Sequence, residues 1–392
     1  MALVAGLVLR LVWVVTVQPA PASDGAAYLS LAQGLLTHGE FRAGPTRAYW
    51  PPGMAFALLP FLAALPSAAL AVAAFGFVFF VVGALGTYSL ARRLGLDDGA
   101  AVAAVWLAAL WPAHVMLAGL PEKELIVIAL MPWALRWSCD ALQRWPAAAA
   151  AGLLVGAMML VQPSLQLLPV LAAAVALLLR QPFVAVLRAA VLAVLAMLLV
   201  VTPWSMRNLR VLGHPVLVST NGGSNLYRAN NELATGAFVA TGKVDVESLP
   251  ELEGDRVGKR LAVEWVRSRP LDFLRLCATR VLLFPGDQSY PAYAAFRADP
   301  DRLPWLAYLG LKATAALPWL LLWVAAVHGV GRVLRRAAAA PPLPWLLLLP
   351  TAYLTAIHAV FESGTKYHLP TLLPVLVLLV LLCLGRGAAR KA

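Results

Sequence analysis

Long runs of apolar residues, separated by short polar segments, recur along almost the whole chain. A helix needs about 20 apolar residues to cross roughly 30 Å of hydrocarbon. The stretch 51–65 is too short, since it reaches only about 22 Å as a helix, and it is expected to lie along or dip into the interface. The pattern predicts about ten membrane-spanning helices, at residues 2–18, 67–91, 98–117, 124–142, 146–162, 164–180, 186–204, 303–327, 343–361 and 368–385.

This topology places four connecting segments on the outer face, at residues 19–66, 118–123, 205–302 and 362–367. In the third, Val257, Leu261 and Trp265 recur at i, i+4 and i+8 among charged neighbours. That spacing predicts an amphipathic helix lying on the membrane and ended by Pro270, and a second such helix is expected over 271–284. The predicted fold class is therefore an all-α polytopic membrane protein with outer-face juxtamembrane helices. Its expected parts are an N-terminal membrane module (1–204), an outer-face loop (205–302) and C-terminal membrane helices (303–392).

Composition supports this class. Apolar residues make up 61% of the chain and charged residues 13%, and the mean hydropathy is +0.78, values that a water-soluble domain of this length does not show. The net charge of +12 does not indicate nucleic acid, because the basic residues lie in short clusters beside apolar runs. By the positive-inside rule they place both termini in the cytoplasm. These residues are Arg92, Arg93, Arg144, Arg180, Arg188, Arg332, Arg335, Arg336, Arg386, Arg390 and Lys391.

The first apolar run has two interpretations. Followed by Ala20-Pro21-Ala22, it is similar to a signal peptide with a small-residue cleavage site. A signal peptide carries its charge before the apolar run, whereas Arg10 lies in the middle of this one. A retained first helix with Arg10 facing other helices is therefore favoured. The widely spaced cysteines indicate neither a disulfide framework nor a structural zinc site.

Asp24 is the most unusual charge in the outer segments. It lies in the run SDGAAYLSLAQGLLTHGEF, which leads to YWPPG, and a charge at a membrane surface is costly enough that it usually has a function. Because the apolar positions after it follow helical spacing, Asp24 lies at or near a helix N-cap. A capping role and a catalytic role are both open, and they are compatible. Tyr28 and Arg47 share this segment, and Pro-Pro-Gly marks a rigid turn.

The second outer segment holds Glu122, Lys123 and Glu124 where the next helix begins. These residues are either helix-start acids with a snorkelling lysine, or a second carboxylate and a cation for the site of Asp24. The last segment, ESGTKYHLP, brings Lys366 and His368, which serve either as interfacial anchors or as part of a phosphate site.

The third outer segment begins TPWSMRNLRVLGHPVLVSTNGGSNLYRANNELATG. Its Asn, Ser and Thr side chains lie beside arginines, a combination that suits hydrogen bonding to hydroxyls and phosphate. A solvated loop is polar too, but it explains less well why arginines flank the start of the loop, where a lipid headgroup would lie. The candidates here are Arg207, Asn221 and Arg228.

In this order along the chain, these motifs resemble bacterial glycosyltransferases of the C superfamily. The group is the family 39-like one, related to protein O-mannosyltransferases and to the lipid A aminoarabinose transferase, and the resemblance spans nearly the whole chain. It implies that Asp24 matches the essential acid of the first outer loop, assisted by Glu122 or Glu124. One departure matters. Ala48-Tyr49-Trp50 replaces the acid-plus-lysine pair that precedes Pro-Pro in the aminoarabinose enzyme, so aminoarabinose and lipid A are not carried over.

The resemblance implies an enzyme that transfers a sugar from a polyprenyl-phosphate donor to a lipid, glycan or protein hydroxyl. It would act at the outer face of the bacterial inner membrane. Because phosphate is a stable leaving group, one carboxylate suffices, with Asp24 as general base, and a single displacement predicts inversion. No metal or cofactor is expected to be required, since the first outer loop lacks Asp-x-Asp, although a divalent cation stays open. The candidates for binding phosphate or substrate are Lys123, Arg207, Arg228, Lys366, Arg47, Tyr28, Asn221 and His368.

Two other functions stay open. A transporter or flippase of lipid-linked glycans would move its cargo without forming a glycosidic bond, and the lack of an internal sequence repeat weakens this interpretation. A non-catalytic membrane scaffold would leave the outer-face acids and cations unexplained. Separation of these groups by more than about 15 Å would favour the scaffold, because catalytic groups must reach one shared substrate.

Overall fold

The computed structural model describes residues 1–239, 242–338 and 343–384, and every regular element in these ranges is a helix. Three short 3-10 helices (Pro163–Leu167, Leu343–Leu348 and Leu369–Thr371) precede α9, α16 and α17. The α-helices are α1 (Ala2–Val17), α2 (Ser23–His38), α3 (Gly53–Ala64), α4 (Ala68–Arg93), α5 (Asp98–Leu110), α6 (Pro112–Met116), α7 (Glu124–Ser138), α8 (Trp145–Met159), α9 (Leu168–Leu178), α10 (Phe183–Leu212), α11 (Gly222–Ala229), α12 (Glu251–Ser268), α13 (Pro270–Leu283), α14 (Tyr290–Ala298), α15 (Trp305–Ala338), α16 (Leu349–Val360) and α17 (Leu372–Leu384).

The all-helical prediction is confirmed for the described residues. Among them, α4, α10 and the Trp305–Val324 part of α15 are each long and apolar enough to cross a membrane, and the other apolar helices are shorter. The count of about ten spans therefore stays a prediction. Pro112 opens a new helix after Trp111, which divides the predicted span 98–117 into α5 and α6. The basic residues at 386, 390 and 391 lie outside the described residues, as do the side chains at 332, 335 and 336.

Small residues bring the apolar helices into close contact. On α8, a Cβ at Gly152 would overlap the backbone of Ala193, and a Cβ at Gly156 would lie 2.8 Å from the carbonyl oxygen of Met197. The two glycines are one helical turn apart, so α10 approaches α8 closely along the glycine face of α8. In lipid such close packing replaces the hydrophobic effect as the force that joins helices.

Arg10 faces other helices, as the sequence predicts. It is buried in α1 and donates hydrogen bonds to the carbonyl oxygens of Gly6 and Ala109, both at 3.0 Å. Its guanidinium also lies 3.6 Å from the centroid of the Phe80 ring. The charge therefore joins α1 to α4 and α5 instead of contacting lipid.

The two amphipathic helices of the third outer segment differ in what their apolar faces contact. On α12, Val257 and Leu261 pack on the cluster formed by Tyr227, Val246 and Ala262, so these predicted apolar positions contact protein, and the position of α12 on the membrane stays a prediction. A Cβ at Gly258 of α12 would also overlap the backbone of α11. On α13, by contrast, several large apolar side chains remain exposed, as expected of a helix on a membrane surface. They are Leu271, Leu274, Val281 and Leu282.

Candidate active site

Asp24 and Lys366 form an ion pair between two outer segments that are 342 residues apart in sequence, with Lys366 Nζ 3.1 Å from Asp24 Oδ2. Asp24 is the second residue of α2, whose N-cap residue is Ala22, and no side chain caps this helix. The capping interpretation of Asp24 is therefore wrong, although a carboxylate in the first turn still complements the helix dipole. The neighbouring Ser23 has a left-handed φ of 50°, a strained conformation of the kind that clusters at functional sites.

The start of α2 packs directly on the second outer segment. A Cβ at Gly25 would lie 3.2 Å from Pro121 Cγ, a tight contact that a larger residue could make only if Pro121 shifted. This contact sets Asp24 beside the acidic pair Glu122 and Glu124, both of which are 2% exposed. The start of α2, which carries Asp24, thus packs directly against the Pro-Glu-Lys-Glu loop.

Glu122 accepts a hydrogen bond from the Tyr290 hydroxyl at the start of α14, at 2.8 Å. Burial raises the pKa of Glu122 to about 7, and the negative charge of Glu124 adds to that rise. The Oε2 atoms of both glutamates are buried and have no hydrogen-bond partner among the described residues. Buried polar atoms are usually hydrogen-bonded, so these two oxygens are exceptions that set this site apart from the rest of the fold.

Burial and neighbouring charges have opposite effects on the pKa of Asp24. Burial would raise its pKa, but the positive charges of Lys366 and Lys123 outweigh burial and hold the pKa below the usual value. Burial likewise disfavours the charged form of Lys366, yet Asp24 and its other neighbours keep the pKa of that ammonium well above its usual range. Asp24 is thus ionised at neutral pH, while Glu122 titrates near neutrality. The two carboxyls thus differ in proton affinity although they share one site.

Arg228 of α11 joins the same site through the last outer segment. Its Nε lies 3.3 Å from Glu362 Oε2 and its Nη1 lies 3.2 Å from Glu247 Oε1. Glu362 in turn accepts a hydrogen bond of 2.7 Å from the Tyr367 hydroxyl, next in sequence to Lys366. Arg228 also contributes to the low pKa of Asp24, so it lies within electrostatic range of the carboxylate.

Two candidate residues, Arg207 and Arg47, form contacts that hold the loop after α2 in place. Arg207 donates hydrogen bonds to the carbonyl oxygens of Arg47 and Phe41, at 2.6 and 3.2 Å, and stacks on Trp204. Glu251, at the start of α12, accepts from the backbone amide of Arg47 at 2.7 Å. These contacts fix the loop that leads to Pro-Pro-Gly. Within the described part of the chain, no ion pair or hydrogen bond joins Arg207 or Arg47 to Asp24.

Of the remaining candidates, Tyr28 lies beside Asp24, whereas Asn221 and His368 contact other parts of the chain. Tyr28 is buried beside Asp24, where its ring packs edge-on against Trp50 at 5.3 Å. Asn221 is the N-cap residue of α11, and its Oδ1 accepts a hydrogen bond from Ser219. His368 is buried and stacks on Trp319 with ring centroids 4.9 Å apart. A phosphate-binding role for Asn221 or His368 therefore stays a prediction that these contacts do not support.

Sequence reasoning missed two residues that build the site. Tyr290 carried no signal, since a single tyrosine between Ser289 and Pro291 belongs to none of the motifs described above. Arg280, one of many outer-segment arginines, is fully buried and donates to the last carbonyl groups of two helices: Ala229 of α11, and Ala359 and Val360 of α16. It fixes the ends of the helices that carry Arg228 and lead to Lys366. Its burial distinguishes it, and burial cannot be read from composition.

The acids do not form a preassembled metal site in the described residues, where no group of three His, Cys, Asp or Glu residues lies at metal-binding distance. What the arrangement offers is one ionised carboxylate, two buried carboxyl oxygens without partners, and a set of cations around them. Such a site can accept a proton from a hydroxyl and stabilise an anionic leaving group. A non-catalytic scaffold gives no reason for the acids and cations of the outer segments to lie together.

The fold is similar to that of a solved structure, the archaeal oligosaccharyltransferase AglB from Archaeoglobus fulgidus in complex with an inhibitory peptide and a dolichol-phosphate. The TM-score is 0.52 at 12% sequence identity, and the match covers 100% of this chain and 52% of that chain. No family model matches the chain, and no curated protein matches it by sequence. A likeness at this identity shows the fold alone. The all-helical expectation is confirmed for the described residues, and the fold is similar to that of an oligosaccharyltransferase, whereas the glycosyltransferase C superfamily and its family 39-like group stay predictions.

Proposed function

We propose that this protein is a membrane glycosyltransferase that moves a sugar from a polyprenyl-phosphate-linked donor to an acceptor hydroxyl, with Asp24 as general base. The observation that carries the proposal is the ion pair between Asp24 and Lys366 beside the buried Glu122 and Glu124. Four separate segments supply these groups and Tyr290. Burying several charged groups at one site costs desolvation free energy, and such clusters are typical of functional sites.

In the proposed reaction, the acceptor oxygen attacks the anomeric carbon of the sugar, and its proton passes to a carboxylate oxygen of Asp24. The bond between the anomeric carbon and the phosphate oxygen breaks, and the electron pair leaves with the polyprenyl phosphate. This single displacement inverts the anomeric configuration. No strong acid is needed on the leaving side, because the phosphate is stable as an anion.

Lys366 and Lys123 are proposed to hold the donor phosphate. Lys366 is supported by its position against Asp24, which places a cation next to the base. Lys123 acts on Asp24 electrostatically, but within the described residues it forms no ion pair shorter than 4.0 Å. Lys123 is thus available for an incoming anion. Their positive charge would stabilise the negative charge that develops on the phosphate in the transition state.

The donor class is supported by the fold and by the surroundings of the site. The described neighbour was solved with a dolichol-phosphate, a polyprenyl-type lipid phosphate. In this chain, the exposed apolar side chains of α13 provide a surface suited to the membrane on the same side as the site. A donor with a lipid anchor would approach from there.

The experiment is to incubate the purified full chain with a panel of polyprenyl-phosphate sugars and candidate acceptors. Release of polyprenyl phosphate and formation of a glycosidic bond are measured in the same sample. A transferase produces both in equal amounts. Movement of an intact lipid-linked glycan between the leaflets of a vesicle, with neither product formed, would instead identify a flippase and refute the proposal.

A further inference from the structure

An apolar cavity lies at the opposite end of the helices from the acidic site. It has a volume of about 320 Å³ and is lined by the second half of α7, the first half of α8, α9 and the first half of α10. The nearest lining residue of α7 to the acids is Ala134, ten residues after Glu124, which corresponds to about 15 Å along that helix. The cavity is therefore separate from the proposed sugar-transfer site.

The lining identifies the kind of molecule that fits. Most of the side chains are Ala, Leu and Val, including Ala172, Ala176 and Val186, whereas polar groups, among them Ser138 and Gln181, are few. An apolar space of this size forfeits dispersion contacts along its walls when nothing fills it. Its volume is at the lower end of the roughly 300–1,000 Å³ that small-molecule sites occupy. A flexible hydrocarbon chain would fill it.

Positive charge surrounds the polar end of the cavity. Arg93 is part of the lining, and Asp140 pairs with both Arg93 and Arg136. Arg188, on α10, donates to the carbonyl oxygen of Leu142, itself a lining residue, at 2.8 Å. Two exposed arginines adjoin lining residues in sequence, Arg144 and Arg180. Five arginines and one aspartate thus lie in or next to this lining, an excess of positive charge that complements an anionic headgroup.

Aromatic side chains mark the same end of the helices as a membrane–water boundary. Trp145 is the first residue of α8 and is 65% exposed, and Phe183 is the first residue of α10 and is 63% exposed. Aromatic residues at helix ends are typical of the interfacial belt, where lipid headgroups lie. A headgroup beside the arginines and a chain inside the cavity would therefore lie at the depths that a phospholipid adopts in its own leaflet.

We propose that this cavity binds one anionic phospholipid of the leaflet at that end, with an acyl chain between α7, α8, α9 and α10 and the headgroup phosphate held by the arginines around Arg188. The proposal is independent of the sugar-transfer function. A polyprenyl-phosphate donor is the less suitable occupant, because its phosphate must reach Asp24 at the far end of α7.

The test measures lipid retention by native mass spectrometry on the delipidated full chain, incubated with phosphatidylglycerol or with phosphatidylcholine of the same acyl chains. The chain is expected to retain one phosphatidylglycerol. A172F fills the cavity and should abolish retention, whereas A174F places the same ring on an exposed position of the same helix and should not. R188Q should weaken phosphatidylglycerol binding about fivefold, as removal of one basic contact to an anionic lipid predicts. R210Q, on the exposed far end of α10, should leave it unchanged.

Three results would overturn the proposal: equal retention of the two phospholipids, undiminished retention in A172F, or displacement of phosphatidylglycerol by polyprenyl phosphate. If A172F does not fold, the comparison of R188Q with R210Q and the preference between the two headgroups still decide the question. Failure here leaves the sugar-transfer proposal untouched, since no residue of the acidic site is altered.

Discussion

Replacement of Glu122 by glutamine should stabilise the protein, and the gain should depend on pH. Glu122 is buried beside Glu124, and burial raises its pKa from an ordinary value of 4.5 to about 7. Because the folded-state pKa lies above that of the unfolded chain, the folded protein takes up a proton at mildly acidic pH. This contribution to stability is complete below pH 4.5 and is lost as the pH rises through 7. Glutamine keeps the acceptor for Tyr290 and carries no charge at any pH.

The magnitude follows from the pKa. A tenfold change in proton affinity corresponds to about 1.4 kcal/mol, so the wild type loses roughly 3 kcal/mol relative to E122Q between pH 4.5 and pH 8. At on the order of 2 °C per kcal/mol for a large domain, the difference in Tm between the two proteins should grow by about 6 °C over that range.

The assay is thermal unfolding in detergent across pH 5 to 9, followed by intrinsic fluorescence. E253Q is the matched control, since Glu253 is exposed on α12 and its loss should shift Tm equally at every pH. A constant difference between E122Q and the wild type from pH 5 to pH 9 would show that Glu122 is not a buried, proton-binding group and would refute the reasoning.

Three further predictions concern residues that support the site. Tyr290→Phe removes the hydroxyl donated to the buried carboxyl and should move the midpoint of its pH-dependent stability upward, because the carboxylate loses a partner. Arg280→Gln leaves helix-end carbonyl groups without donors, which should lower Tm by several degrees, at about 1–3 kcal/mol for each orphaned group. Gly152→Leu forces a side chain into the backbone of α10 and should reduce the yield of folded protein, because α8 and α10 cannot separate without loss of packing.

Each of these variants has a counterpart that makes a similar chemical change elsewhere. Tyr293→Phe lies on the same helix as Tyr290 but is exposed, and Arg275→Gln is the exposed equivalent on α13. Gly310→Leu adds a side chain where nothing lies within 4 Å. If a variant and its counterpart behave alike in these measurements, the contact invoked for that residue is not responsible.

The apolar pattern predicted the helices well because burial in lipid imposes a single requirement, a long apolar run with every backbone group paired internally. It predicted less about what covers each apolar face. The spacing of Val257, Leu261 and Trp265 identified an amphipathic helix, and in the structure Val257 and Leu261 pack on a protein cluster that includes Tyr227 of α11. Periodicity shows that a face is apolar and leaves its partner open.

The candidate site was predictable where acids and cations interrupt apolar sequence. Asp24, Glu122, Glu124 and Lys366 stand out for that reason, and the structure brings them together. The sequence could not single out Tyr290, because its importance rests on one contact with Glu122 that the path of the chain creates. Arg207 is the opposite case. The sequence made it a candidate for binding phosphate, but in the structure its guanidinium donates to loop carbonyl oxygens.

The central claim is that Asp24 is the general base of a sugar transfer. The most direct measurement is the rate of polyprenyl-phosphate release by Asp24→Asn, with folding checked by Tm and with Asp301→Asn, an exposed aspartate, as the matched control. Loss of a general base predicts a rate reduced by about 100-fold or more in D24N and an unchanged rate in D301N. A well-folded D24N protein that transfers sugar at the wild-type rate would contradict the account.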